Sequence, residues 1–476
     1  MSVGCGRWQT VDTVIWWVRR DLRLGDNPAL TAALERSSAV LPVFVVDPYL
    51  MGQPAEFRKR FLWAGLCELD EALRERGSRL VVREGQPLEV LSQLVMETGA
   101  RAILAEEDYD PYARERDREV ARNLPACYVA GPTLRHPEVV LKADGSPYRV
   151  FASYSRAWRS QSLPTVSAVL AAPVWLGPPP AGLWSMPLSA TPSPAGFPAG
   201  EREAQKRLGE FTGGASPPVW DYARARDRLD MQGTSLLSPY LRFGMISARQ
   251  AFAAAGEAIR NAPDPATRRG GEVWMEELIW REFFQAVLYH FPAVLDRAFR
   301  ADMWDIPWQN DPQAFEAWRE GRTGYPVVDA AMRQLRHTGW MHNRARMIAA
   351  SFLVKDLLVD WQWGERWFMQ CLVDGDPAAN NGGWQWTAGV GTDAAPYFRV
   401  FNPVVQGGRF DPEGDYVRHW VPEIRRVPRR WVHTPWRMPR EVQADVKCIV
   451  GRDYPRPIVD HDVARLRALA AYGRKK

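Results

Sequence analysis

The chain has 476 residues, a formal net charge of +5, 46% hydrophobic and 25% charged residues, the balance of a soluble globular protein long enough for two or three domains with their own cores. No stretch approaches the ~20 consecutive apolar residues that cross a bilayer, and the opening MSVGCGRWQT has neither the apolar core of a signal peptide nor a glycine after Met1, so a cytoplasmic protein without membrane attachment is expected. Cys5, Cys67, Cys127, Cys371 and Cys448 are odd in number and scattered, and the seven histidines form no clustered ligand set, which argues against a disulfide framework and against metal chemistry.

In chain order, short apolar runs at Val14–Val18, Val40–Val46, Leu80–Arg83, Ile103–Ala105 and Cys127–Ala130 alternate with helical spacing, as at Phe61–Arg76 and Pro87–Glu97. That alternation predicts a doubly wound α/β domain, a parallel sheet with helices on both faces. Asn27 is a candidate N-cap, with Pro28 at the first helical position of the first crossover. No GxGxxG follows the first strand, so the dinucleotide fingerprint is missing, and a ligand is expected beyond the carboxyl ends of the strands. From Leu163 to Gly200 the composition turns to Pro, Ala, Ser and Gly (LGPPPAGLW, LSATPSPAGFPAG), which predicts an interdomain connection. Beyond Glu201 long helical patterns dominate: Ala248–Arg260, Glu272–His290, Val327–Thr338, Asn343–Leu358 and Glu365–Leu372. The expected division is an α/β domain over 1–135, a linker over 136–204 and an all-α domain over 205–476.

One run stands out. Asp374 to Trp386 reads DGDPAANNGGWQW, with two carboxylates, an amide pair, a double glycine and two tryptophans at short spacing. Asp, Asn and Gly favour turns and caps over helix interiors, so its first half is expected to be a loop presenting side chains to something flat and polar-edged. Most of the 22 tryptophans lie from Trp184 onward, more than core filling needs. Arginines outnumber acids between Arg399 and Arg430, which suits either a solvated rim or a face that meets a polyanion.

Six segments, in order along the chain, resemble the photolyase and cryptochrome flavoprotein family, most closely the class I cyclobutane pyrimidine dimer photolyases. They are WWVRRDLRLGDNPAL (16–30), TSLLSPYLRFG (234–244), WMEELIWREFF (274–284), GYPVVDAAMRQL (324–335), TGWMHNRARM (338–347) and DGDPAANNGGWQWTAGVGTDAAPYFRVFNP (374–403). The resemblance implies FAD bound in the helical domain and fully reduced in the active state. Tyr222, Thr234, Ser235, Leu236, Leu237 and Ser238 would meet its phosphate side, where hydroxyls and free backbone N–H groups at a helix start suit a diphosphate; taken alone, TSLLSP is a capped helix start. Asn343, Arg346, Asp374 and Asp376 would line its polar edge, with Asn380 facing the flavin N5. Trp384, Trp361 and Trp308 match the family's electron relay, although a lone tryptophan is more often core.

On the substrate side the resemblance implies that a flipped-out dimer is held by Trp280 and Trp386, with Glu277 on its carbonyl edge and Trp274 and Met347 nearby. Base flipping costs a few kcal/mol, and stacking on aromatic faces returns roughly 1–3 kcal/mol per base. Without the resemblance, Glu277 reads as an exposed acid over a buried ring. Arg226, Arg281, Arg344 and Arg399 match phosphate contacts, for which a planar guanidinium is suited. Asn343 and Met347 stand where photolyases for the 6-4 photoproduct carry a histidine pair, which points to the cyclobutane dimer; His342 has no histidine four residues later.

The implied function is light-driven dimer repair in double- or single-stranded ultraviolet-damaged DNA by a monomeric enzyme. An electron passes from photoexcited reduced FAD to the dimer, the ring is cleaved and the electron returns. A second chromophore could be a deazaflavin, a flavin or a folate. Folate antennas go with an Asn-Glu pair where this chain has Tyr112 and Ala113, a departure that weighs against folate. The alternative is a cryptochrome-like blue-light photoreceptor without repair activity, whose usual C-terminal extension is not expected after LRALAAYGRKK.

Overall fold

The computed structural model describes residues 13–129, 131–163, 168–396 and 398–473. The expectations that concern the first ten residues, Cys5, Ala130 and the last three residues lie outside that set. The described residues form two compact units. One takes the chain up to Tyr148, Ala152–Trp220 and Ser235–Pro292; the other takes Arg149–Phe151, Asp221–Thr234 and the chain from Ala293 on. Two long helices of the all-α half, Ala248–Arg260 and Pro265–His290, thus cluster with the sheet.

The first unit holds five parallel strands, β1 (Val14–Val18), β2 (Val40–Val46), β3 (Val81–Glu84), β4 (Ala102–Glu106) and β5 (Ala126–Val129), in the order β3-β2-β1-β4-β5. Val14 is in register with both Val40 and Ala102, so the chain starts mid-sheet and reverses direction between β1 and β4. Each crossover is helical: α1 (Pro28–Arg36), α2 (Glu56–Arg74), α3 (Pro87–Thr98) and α4 (Pro111–Asn123). Continuous apolar runs mark strands covered on both faces, and every residue of β1, β2 and β4 is buried. Asn27 caps α1 as its sequence indicates, accepting from Leu30 N, with Pro28 at the first position. A helix, Phe151–Arg159, precedes the Pro-rich stretch, and residues 170–200 run without helix or strand: Leu176 N donates to Arg76 O at 3.0 Å, Met186 N donates to Val82 O at 2.9 Å, and Val82 N donates to Ser185 Oγ at 2.9 Å.

Three helices complete the part of this unit that matters below: α5 (Ser238–Phe243), α6 (Ala248–Arg260) and α7 (Pro265–His290). α7 begins seven residues before the apolar pattern does, because Asp264 and Thr267 form a capping box ahead of Pro265. The second unit packs helices around one apolar cluster. It includes α8 (Pro312–Glu320), α9 (Pro326–Thr338), α10 (Asn343–Ser351), α11 (Trp361–Cys371), α12 (Pro377–Ala388), α13 (Pro403–Phe410) and α14 (His461–Tyr472). The helix expected over Asn343–Leu358 stops at Ser351 and passes into a π turn, Phe352–Asp356.

Candidate functional site

The run that was expected to begin as a loop is helical from Pro377. Asp376 accepts from Ala378 N and Ala379 N at 3.1 Å each, Pro377 takes the first position, and Gly389 closes the helix in the left-handed region at φ 81°. These end signals, together with packing, outweigh the poor intrinsic propensity of two asparagines and two glycines, which amounts to under ~1 kcal/mol per residue.

Helical geometry then sorts the side chains, since positions four apart share a face. Asn381 and Gln385 form one ridge. Their amides donate to Val294 O at 3.0 and 2.8 Å, Gln385 Nε2 also reaches Asn381 Oδ1 at 3.1 Å, and Gln385 Oε1 accepts from Phe299 N at 2.8 Å. That ridge fixes the segment 294–299. Asn380 and Trp384 form the neighbouring ridge, toward α11. Asn380 Nδ2 donates to the backbone and the carboxylate oxygen of Glu365, both at 3.0 Å. Burial pushes the Glu365 carboxyl above its ordinary range, and the bond from Asn380 opposes the shift. The Trp384 indole enters the space left by Gly364, where an added Cβ would lie 2.1 Å from it, and meets Phe368 edge-on at 4.9 Å and Trp318 at 6.1 Å.

Arg346 Nη2 holds both carboxylate oxygens of Asp374, at 3.0 and 2.8 Å, while its Nε donates to Met341 O. The two aspartates of the run therefore differ in use: one pairs with a guanidinium and the other caps α12. Asn343 and Met347 lie one turn apart on α10, with Asn343 Nδ2 3.9 Å from Met347 Sδ and Asn343 exposed. His342 caps α10 by accepting from Arg344 N, and burial lowers its pKa to about 4, so it stays neutral. Arg344 is ion-paired with Asp227 at 2.8 Å and lies over the Phe410 ring at 4.5 Å. Tyr222 is buried, Arg226 half-buried and Arg399 exposed.

Trp384, Trp361 and Trp308 belong to the same apolar cluster. Their exposure rises from 2% for Trp384 and 4% for Trp361 to a half-buried Trp308. Trp361 heads α11, the helix whose Gly364 receives Trp384, and Trp308 meets Tyr472 edge-on at 5.9 Å.

In the first unit, α7 carries Trp274, Glu277, Trp280 and Arg281. Trp274 is 3% exposed and edge-on to Phe211 at 5.3 Å, the setting of a packing residue. Trp280 is half-buried beside Phe283 and Phe284, and Glu277 is half-buried. The Arg281 guanidinium donates to Pro132 O at 2.8 Å and to Leu241 O at 3.3 Å. In the turn before α5, Leu236 has φ 53° and Leu237 stands at the N-cap without a side-chain acceptor. Thr234 and Ser235 are half-buried, Leu237 is buried and Ser238 is exposed.

Sequence reasoning does not single out Glu365, Gly364, Gln385 or Glu282. Glu282, 1% exposed, accepts from Leu134 N, Arg135 N and Trp158 Nε1 and so pins α7; burial raises its pKa to about 7. The four-residue spacing of Asn381 and Gln385 was the available signal for Gln385. The other three depend on contacts between distant segments.

The polar atoms around α12 suit a flat heterocycle with donors and acceptors on its edge. Asn380 Nδ2 is held by Glu365, Trp384 Nε1 is buried without an acceptor, and the Arg346–Asp374 pair supplies both signs of charge. Among the described residues no group of His, Cys, Asp and Glu could hold a metal, and no helix is long and apolar enough to cross a membrane.

Residues 14–173 match the family description DNA photolyase, and residues 274–474 match that of the FAD binding domain of DNA photolyase. The chain is 39% identical to the deoxyribodipyrimidine photo-lyase of Synechococcus sp., with 97% of each covered. A bacterial class III photolyase structure from Agrobacterium tumefaciens superposes with a TM-score of 0.90 at 37% identity, covering 99% of both chains. The cryptochrome structure from Synechocystis sp. gives 0.87 at 30%, covering 99% of this chain and 100% of its own. The archaeal photolyase from Sulfolobus tokodaii with two FAD molecules gives 0.80 at 34%, covering 97% and 99%.

Proposed function

This chain belongs to the DNA photolyase family, and from that premise we infer that it is a carbon–carbon lyase that repairs cyclobutane pyrimidine dimers in DNA under blue light. The observation that carries the reading is the sorting of α12: one ridge turns an amide and an indole toward α11, while the other anchors the segment 294–299. Reduced FAD, when bound, supplies an electron on absorbing light and takes it back after the ring opens. Tyr222, Thr234, Ser235, Leu236, Leu237 and Ser238 would bind its phosphate side, and Asn343, Arg346, Asp374 and Asp376 its polar edge. Asn380, its amide nitrogen held by Glu365, turns its oxygen outward as an acceptor toward the flavin.

Trp280 and Trp386 would stack on the extruded dimer and Glu277 would hydrogen-bond its carbonyl edge, with Met347 and Trp274 as further substrate-side residues, although the burial of Trp274 against Phe211 suits packing. Arg226, Arg344 and Arg399 meet flanking phosphates. Arg344 can leave Asp227 for a phosphate because Asp227, 37% exposed at its side chain, stays hydrated without it. Arg281, matched to a phosphate contact, also ties α7 to two backbone carbonyls. Trp308, Trp361 and Trp384 deliver electrons inward to restore the reduced cofactor. A second chromophore belongs to this reading, with deazaflavin or flavin preferred to folate because Tyr112, hydrogen-bonded to Asp47, stands at the expected Asn-Glu position; the archaeal relative with two FAD molecules supports a flavin. The enzyme is proposed to act as a cytoplasmic monomer.

The test is to illuminate ultraviolet-damaged oligonucleotide with purified protein whose reduced FAD is verified by absorbance, and to count dimers. Light-dependent loss is expected. The similarity to a cryptochrome favours one rival, a photoreceptor without repair activity, and persistence of the dimers would decide for it.

A further inference from the structure

The relay has a buried cation beside it. Lys355, 1% exposed, lies in the π turn Phe352–Asp356. Such turns insert one residue into a helix, shift the side chains that follow, and are frequent at functional sites. The Lys355 ammonium donates to Ala388 O, at the end of α12, at 3.0 Å and sits 3.3 Å from the centre of the Tyr472 ring. Tyr472 in turn meets Trp308 edge-on at 5.9 Å. The ammonium is thus no farther from the Trp308 ring than those two spacings together, about 9 Å.

We propose that Lys355 controls the relay electrostatically: its positive charge disfavours the oxidised form of Trp308, and loss of its proton favours it. The proposal rests on reading Trp384, Trp361 and Trp308 as the relay. In photoreduction one electron leaves Trp308 and passes through Trp361 and Trp384 to the oxidised cofactor. Trp308 is left as an indole radical cation, refilled by one electron from a one-electron reductant in solution. Two positive charges about 9 Å apart in a protein interior of effective dielectric ~20 change such an equilibrium on the order of tenfold.

Burial pushes the Lys355 ammonium down to about 7, so its charge changes across the neutral range. Tyr472 on α14 faces it, raised well above its ordinary value by burial, with Asp360 as a lesser influence, and Asp356 is the next residue in its own turn. Asp356 pairs with His461 Nδ1 at 2.6 Å, and its backbone oxygen accepts from Arg467. The pKa of His461 is raised, burial being outweighed by the bond to Asp356 and its charge, so His461 needs its own control.

The experiment follows photoreduction of the oxidised holoprotein from about pH 6 to about pH 9, on either side of the Lys355 value, supported by an inorganic one-electron reductant that does not titrate in that span. Wild type is expected to rise on the order of tenfold across it. Lys355→Met should be fast and flat, Lys355→Arg slow and flat, and His461→Gln should keep the rise. Urea unfolding of the same holoproteins gives a second readout. Wild type should gain stability as pH rises above about 7, because the unfolded chain then holds a proton that the folded one has lost, and Lys355→Met should not. If Lys355→Met fails to take up FAD, Lys355→Gln replaces it, keeping a donor for Ala388 O. A wild-type photoreduction profile in the uncharged variant overturns the proposal. If Trp308→Phe photoreduces like wild type, the relay reading fails and the proposal with it; if Trp308→Phe is slow while the uncharged variant keeps the wild-type profile, only the proposal fails.

Discussion

Each unit contains a cluster of arginines and carboxylates, and the two clusters are built for different ends. Past the carboxyl ends of β1 and β4, Arg19 pairs with Asp117, Arg20 with Asp108 and Arg23 with Glu106. Arg23 also donates to Asp26 O and Gly244 O and is 4% exposed. No partner in these pairs is more than 14% exposed at its side chain. Around α10 and α12 one partner of each pair is looser than the other: Asp227 is 37% exposed at its side chain against 16% for Arg344, Arg346 is 25% exposed against 3% for Asp374, and Asn343 is exposed. The residue types are the same, so a motif of Arg and Asp does not by itself mark a binding site. What separates the two is how deeply both partners of each pair are buried.

The contrast is most exposed to refutation at Arg23. Breaking a buried pair leaves a charge without its partner, so Arg23→Ala should lose about 3–5 kcal/mol in urea unfolding; a loss under ~1 kcal/mol would place that cluster with the loose one. Next comes the packing that lets α12 approach α11. Gly364→Ala drives a methyl to within 2.1 Å of the Trp384 ring and should destabilise by about 1–3 kcal/mol, with FAD content falling in step; full FAD occupancy would mean that the indole can shift without consequence.

A smaller effect concerns Glu282. Its folded pKa of about 7 lies above the ordinary carboxyl value, so the stability linked to it is complete below that ordinary value and disappears as pH rises through about 7. Glu282→Gln should flatten that decline in a series of unfolding curves, and an unchanged slope would show that the decline belongs to other groups. Smallest in stability is Arg344→Ala, within about 1 kcal/mol of wild type. It should still lower the slope of log DNA affinity against log salt by about 0.9, and an unchanged slope would remove Arg344 from the phosphate contacts.

Much of the sheet was legible because continuous apolar runs leave little choice: β1 and β2 start and stop at the residues their sequence indicates, and the other strands shift by about a residue. α1 was legible from Asn27 and Pro28. α12 was misread because Asn and Gly were weighed as turn formers, although Asp376 followed by Pro377 is a helix start of the same kind as Asn27 followed by Pro28. The π turn at Phe352 buries Lys355 and Asp356 together with its apolar residues, so periodicity could not locate it. Within the site, residue types were visible as motifs. Their division of labour was not, because Glu365 and Gly364 gain their meaning only when α11 lies beside α12.

The Pro-rich stretch, taken from composition as a connection, also guards the sheet. β3 is the outermost strand on its side and would otherwise present unpaired backbone groups to any extended chain. Val82 has both its N–H and its C=O occupied by Ser185 and Met186, and a segment rich in proline cannot pass a complete hydrogen-bonding ladder outward. At that position the molecule is thus shielded from strand-to-strand association, and shortening the connection would be felt first as a loss of solubility.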